Sequence, residues 1–331
     1  MMNWKGIVFF LLCLPLIVSA QVIKIGSIAP DRSPWNDALK EIAREWEKIT
    51  SGQVKLKIYP GGITGSEDDM IRKMKLGVLG GAVLTNVGIT KINRDAFVLN
   101  SPFLFDSEKE MEYVMGQLVP IFEKQIRERG YHTVVWVMSG WINFFSKDPV
   151  IYPSDLKKQK LAISTDEPEV ELAWKKSGFR TVPIELKDMM MALQSGMIEA
   201  FYIPPVLAGA GQYFAFAPHM NSLKITPLVG GMVIVNRIWD KIPEGFKPAM
   251  KAAVQKVQAK LDKGIIDLEA DALATMKKNG LIFHEAPPDS LPRWKEGAIK
   301  GMDELVGKVF SKEIYDKLLG MLKEYRQKNV Q

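Results

Sequence analysis

Residues 155–205 read DLKKQKLAISTDEPEVELAWKKSGFRTVPIELKDMMMALQSGMIEAFYIPP. Apolar runs near 160–164, 180–184 and 198–203 have the length and punctuation of strands, with a helical segment in each gap. Thr165 or Asp166 followed by Pro168 opens the first helix and Gly178 closes it, while Asp188 opens the second and Gly196 closes it. The order is therefore β-α-β-α-β. Such alternation implies a parallel sheet with helices on both faces, and ligands that sit beyond the carboxyl ends of the strands.

The same order occurs earlier in the chain. VIKIGSI at 22–28 alternates as a strand does, Ser33-Pro34 opens a helix, and VKLKIY at 54–59 forms the next strand. Ser66 then caps a helix closed by Gly77, and residues 79–85 form a third strand. Two α/β units in 331 residues suggest two lobes with a cleft between them. From Glu244 to Asn279 an amphipathic run carries Ala253, Val254, Val257, Leu261, Ile265, Leu268, Ala272 and Met276 on one side. At 1.5 Å per residue it reaches ~54 Å if unbroken, long enough to cross from one lobe to the other, with Gly264 as a possible kink or break. The expected division is 21–145 plus 235–275 for lobe I, and 146–234 plus 276–331 for lobe II.

Composition sets the class. With 47% apolar and 25% charged residues the chain is that of a globular protein. MMNWKGIVFFLLCLPLIVSA at 1–20 has one lysine, an apolar run from Ile7 to Val18 and small or β-branched residues at Val18-Ser19-Ala20, the pattern of a cleavable secretory signal. The single cysteine, Cys13, lies within it; anchoring there as a lipoprotein is disfavoured by Leu12 before it, so the mature chain is expected to lack thiols. Removal of Lys5 leaves 43 basic against 38 acidic groups. The basic residues come in pairs interleaved with acids, which gives nucleic acid nothing to bind. His132, His219 and His284 stand far apart, and no GxSxG, Walker or HExxH pattern occurs. No enzyme activity, cofactor or metal site is expected.

Several short motifs carry a family resemblance. They are Ile28-Ala29-Pro30 with Ser33-Pro34-Trp35, Thr50-Ser51-Gly52 leading to Tyr59-Pro60 and Gly65, Asn100-Ser101-Pro102-Phe103, Ala192-Leu193-Gln194-Ser195-Gly196, and Val235-Asn236 with Trp239 and Pro243-Glu244. In this order and spacing the chain resembles the solute-binding proteins of tripartite ATP-independent periplasmic (TRAP) transporters, of the dicarboxylate-binding type. That resemblance implies a two-lobed periplasmic binding-protein fold, each lobe a mostly parallel sheet flanked by helices, with a long interdomain helix. It also implies a periplasmic receptor that closes around one solute and delivers it to membrane permease subunits. Some branches of the family work with a tetratricopeptide-repeat partner.

The resemblance also implies where polar anchors should stand, and there the chain departs from it. The arginine that clamps a substrate carboxylate in the family falls at Ala162, and a second arginine position is Ile142. An amide before a proline falls at Ile203, and a first-strand amide position is Ile28. A carboxylate closed into a cleft without a guanidinium would cost several kcal/mol, whereas an apolar ligand burying roughly 300 Å² gains about 7 kcal/mol. The expected occupant is thus hydrophobic or weakly polar. The expected cleft residues are Ile28, Glu67, Thr85, Trp141, Ile142, Phe144, Ala162, Leu186, Phe201 and Ile203. Two other readings stay open: an organic-acid receptor in which Arg94 or Arg180 replaces the missing arginine, and an adaptor that no longer binds solute.

Overall fold

A computed structural model describes residues 20–329. The expected apolar signal run and Cys13 lie outside the described residues. The first unit comprises β1 (Gln21–Ser27), α1 (Pro34–Ile49), β2 (Val54–Tyr59), α2 (Glu67–Lys75), β3 (Gly81–Thr85) and α3 (Asn86–Ile92). Its helix starts are those set by the caps. Ser33 Oγ accepts the Asn36 amide ahead of Pro34, and Ser66 and Asp69 form a reciprocal capping box. A 3-10 turn at Arg94–Asn100, α4 (Glu108–Glu128) and β4 (Tyr131–Ser146) lead to the second unit.

That unit holds α5 (Pro153–Leu156), β5 (Lys160–Ser164), α6 (Pro168–Lys176), β6 (Arg180–Ile184), α7 (Met189–Gln194) and β7 (Ala200–Ile203). The chain continues through α8 (Pro205–Ala210), β8 (His219–Asn221), β9 (Thr226–Val235), α9 (Asn236–Trp239), α10 (Lys247–Lys278), β10 (Ile282–His284), α11 (Ser290–Asp303) and α12 (Lys312–Asn329).

The strands pair in the order β2-β1-β3-β9-β4-β7-β5-β6, with β8 on the far end of β4 and β10 on β8. Within each unit the pairs are parallel, and the antiparallel pairs all involve β4 or β9. These two long strands connect the halves. The Tyr131 end of β4 lies with β9 beside β3, and its Asn143–Ser146 end pairs with β7. The β4–β9 register slips between Met138 and Trp141, around Gly140 at φ +92°. A bulge of this kind bends a strand and resets which face each side chain meets.

The core follows the sheet. Ile23, Ile25, Trp46, Met232 and Val254 pack on one face of the first half, and Leu84, Val98, Leu118, Phe122 and Val233 on the other. In the second half Phe144, Leu161, Phe179 and Trp294 form one cluster, and Phe145, Ala162, Leu193, Phe201 and Met276 another. The expected long helix forms as α10 after a 3-10 turn at Glu244–Phe246, and it runs unbroken through Gly264 for ~48 Å. Near its start the Met250 carbonyl accepts Trp46 Nε1 at 3.2 Å, and near its end Met276 packs with Phe145 and Phe201. It thus spans both halves. The last helix, α12, returns to the first half and packs on α4 through Ile314, Leu318 and Leu322.

Candidate solute-binding site

A cavity of about 880 Å³ opens between the two halves. Its walls come from the carboxyl ends of strands and the turns that follow them. Ile28 follows β1, Thr85 ends β3, Ser164 ends β5, Ile184 ends β6 and Ile203 ends β7. Ile142 and Thr226, paired across β4 and β9, face it where the halves meet. This is the location that tandem parallel units prescribe.

Eight of the expected residues line the cavity: Ile28, Glu67, Thr85, Ile142, Ala162, Leu186, Phe201 and Ile203. Trp141 and Phe144 do not. Trp141 lies in the core cluster on the other side of β4, with Lys224 Nζ 5.1 Å from its ring centre. Beyond the slip at Gly140 the register is regular, so Ile142 faces the cavity and its neighbour Trp141 the opposite way. Phe144 is fully buried behind the wall, with ring centres 4.9 Å from Trp294, 6.2 Å from Tyr202 and 6.3 Å from Trp174. Those three rings, not Phe144, form the surface.

The apolar wall is therefore more aromatic than the sequence reading anticipated. Trp174 projects from α6, Trp294 from α11, Phe179 from just ahead of β6 and Phe103 from the turn before α4. Trp174 and Phe179 meet edge to face at 4.7 Å, and Phe103 lies 5.5 Å from Trp294. Phe103 holds φ +57° while its amide donates to the Ile225 carbonyl at 2.6 Å, so a non-glycine residue is kept in the left-handed region at the wall. Trp174 and Phe179 fall inside the opening stretch, on its first full helix and just ahead of the strand that follows, but were not singled out there. Nothing in the local pattern around Trp294 marks it for the cavity.

The charged lining is chiefly acidic. Glu67, Asp69, Asp166, Glu167 and Glu185 face the cavity, with Lys187 as the basic member. Asp69 pairs with Arg72 at 2.6 Å, Asp166 with Lys91 at 3.5 Å and Glu185 with Lys187 at 2.7 Å. Glu67 is 7% exposed and is held by donors alone: Thr85 Oγ1 at 2.5 Å and the Thr85 and Gly88 amides at 2.9 Å each. Burial raises its pKa despite those bonds, and Asp166 adds to the rise. Glu167 is pushed up to about 7 by burial, then by the charges of Glu67 and Asp166. Arg94 and Arg180 do not line the cavity. Arg94 lies 3.9 Å from Glu169 on the exterior, and exposed Arg180 donates to the Lys158 carbonyl.

The histidines lie away from this cavity. His132 stacks on Trp239 at 4.0 Å, and His219 Nδ1 meets His284 Nε2 at 2.8 Å across β8 and β10. Among the described residues no group of three or more His, Cys, Asp or Glu side chains is placed to hold a metal ion.

Two α/β halves joined by long strands and a helix that spans both, enclosing one large cavity at their strand ends, define a two-lobed solute receptor. The chain belongs to the DctP family, the bacterial extracellular solute-binding proteins of family 7, whose pattern matches residues 25–312. It is 22% identical over 315 residues to the C4-dicarboxylate-binding periplasmic protein DctP of Rhodobacter capsulatus, covering 92% of each chain. To the sialic acid-binding periplasmic protein SiaP of Vibrio cholerae it is 23% identical, covering 80% of this chain and 82% of that one. A TRAP periplasmic solute-binding protein from Desulfovibrio salexigens, solved with bound orotic acid, superposes with a TM-score of 0.83 at 16% identity, over 93% of this chain and 99% of the other. Membership makes this a periplasmic transport receptor that hands solute to membrane permease subunits; the family is not one of enzymes.

Proposed function

We propose that this receptor carries a hydrophobic or weakly polar solute in its interlobe cavity, secreted by way of the signal segment at 1–20 and presented to a TRAP permease. One observation carries the reading: among the described residues no arginine lines the cavity, and the one lysine that does is paired with Glu185. The relatives compared above are described as binding a C4-dicarboxylate and sialic acid, and the solved structure holds orotic acid. Each is an acid, and a carboxylate entering this cavity would meet Glu67 and Glu167 rather than a guanidinium. Its desolvation would go uncompensated, at a cost of several kcal/mol. Apolar contact with Trp174, Phe179, Trp294 and Ile203 needs no such partner, and at ~25 cal/mol per Å² supplies the association energy by area.

The lobe division at 145/146, 234/235 and 275/276 and the binding role of the eight lining residues belong to this proposal. So does a tetratricopeptide-repeat partner, which rests on the family resemblance alone. The test is mass spectrometry of solvent extracts from protein purified without denaturation. A lipid-like or aliphatic molecule is expected. Recovery of only a dicarboxylate or sugar acid would overturn the proposal in favour of an organic-acid receptor.

A further inference from the structure

Among the described residues every charged side chain on the cavity wall has a partner except one. Asp69, Asp166, Glu185 and Lys187 are ion-paired, and Glu67 is saturated by three donors. Glu167 makes no side-chain hydrogen bond or ion pair among the described residues. It sits just ahead of α6 as a cap residue whose side chain does not cap, so the helix makes no use of it. It shares this end of the cavity with the Tyr202 ring, and the charge of Glu167 acts on the Tyr202 hydroxyl. A carboxyl group left half-buried without a donor is unfavourable unless something else supplies one.

A second feature points to an occupant with donors. Asn100 is 8% exposed and Thr226 is 6% exposed; both line the cavity, and Asn100 Oδ1 and Thr226 Oγ1 have no hydrogen-bond partner. Buried polar atoms are ordinarily satisfied, so these two await a group that the protein does not provide. The Asn100 oxygen calls for a donor, and the Thr226 hydroxyl can accept from one as well as donate.

We infer that the solute is an amphiphile with a protonated amine, its ammonium group donating to Glu167 and its apolar body lying against Trp174, Phe179 and Trp294. This rests on the apolar-cavity reading and narrows it. An ammonium satisfies the one unpaired carboxylate, is drawn by the neighbouring Glu67, and is further favoured by aromatic faces close by. A hydroxyl would form a neutral hydrogen bond and leave the charge uncompensated. A carboxylate would add a further negative charge to the group.

The groups acting on Glu167 are Glu67 from α2, Asp166 and Glu169 from its own segment, Lys91 from α3, and Tyr202 from β7. Burial, then the charges of Glu67, Asp166 and Glu169, keep Glu167 protonated to higher pH than a free glutamate against the opposing charge of Lys91, so amine binding strengthens as pH rises through about 7.

The test uses the secreted chain and three probes of one chain length, decylamine, decanol and decanoate, below their micellar concentrations, followed by calorimetry at pH 5.5 and 8. Decylamine is expected to bind at least about tenfold tighter than decanol at pH 8. Its advantage should shrink at pH 5.5, and decanoate should be weakest. Glu167→Gln, which keeps the side chain's size, should bring the amine-to-alcohol ratio within about twofold, whereas Glu171→Gln, at a residue of the same helix outside the cavity lining, should leave that ratio as it is. Equal binding of amine and alcohol, or a preference that persists in Glu167→Gln, overturns the amine inference and leaves the apolar cavity standing. Failure of all three probes to bind, or tightest binding by decanoate, overturns both.

Discussion

Glu167 shows how a single side chain couples the cavity to the stability of the fold. Its pKa in the folded chain is about 7, against 4.5 for an ordinary glutamate. Between those values the folded state holds more protons than the unfolded one, so its contribution to stability falls as pH rises from 4.5 to 7. His132 acts in the opposite direction. Burial, then Arg127 and Lys247, push it down to about 4 from 6.5, so the stability of its neutral form is complete above 6.5 and is lost as pH falls through 4. The two slopes oppose each other between 4.5 and 6.5, and comparison of variants separates them. Glu167→Gln should raise the melting temperature relative to the parent by an amount that grows from pH 5 to pH 8. A difference that is flat across this range would show that Glu167 is not held in its protonated form by the fold. Glu67 was legible in the sequence because it follows the helix cap Ser66. Glu167 lies in the opening stretch but was not distinguishable there, because its role depends on what faces it from α2 and β7.

At the scale of elements, local chemistry placed most boundaries. The caps Ser33 and Ser66, the helix-opening Pro168 and the stops at Gly52, Gly77, Gly178 and Gly196 stand where the helices of both units start and end. The long helix was also legible, and the structure resolves the doubt at Gly264 in favour of continuity. A side chain there would meet nothing within 4 Å, and the residue does not hold a positive φ. Gly264→Ala should therefore stabilise the protein by about 0.5–1 kcal/mol, through helix propensity and lower unfolded-state entropy. Chemical denaturation would detect it as a higher midpoint at unchanged slope. A lower midpoint would mean that α10 needs freedom at this point. The faces of β4 were not legible. Alternation predicts a face only while the register holds, and the slip between Met138 and Trp141 breaks it.

The whole molecule is held together by contacts remote in sequence. Arg326 of α12 donates to Glu110 of α4 at 2.7 Å and to the Leu104 carbonyl at 2.8 Å, and forms an ion pair with Asp106 at 2.9 Å. Glu110 is 4% exposed, and Arg326 is the cation paired with it. Arg326→Ala should cost about 2 kcal/mol, below the range for a wholly buried pair because Arg326 is partly exposed. Hydrogen exchange should then speed up across α12 before the sheet opens; exchange spread evenly over the chain would contradict this docking role. The sequence alone determined the two α/β units, the helix that crosses between them, the cavity at the strand ends and the absence of a carboxylate clamp at Ala162. The units, the helix and the cavity follow from periodicity, capping and residue type, which act over a few neighbours, and the clamp position is what the family resemblance implies. Only the tertiary structure decided that β4 and β9 join the halves, that Trp174 and Trp294 rather than Trp141 and Phe144 form the wall, and that Glu167 stands unpaired. Each of these depends on a strand register or on an approach between distant segments, and no local pattern carries that information.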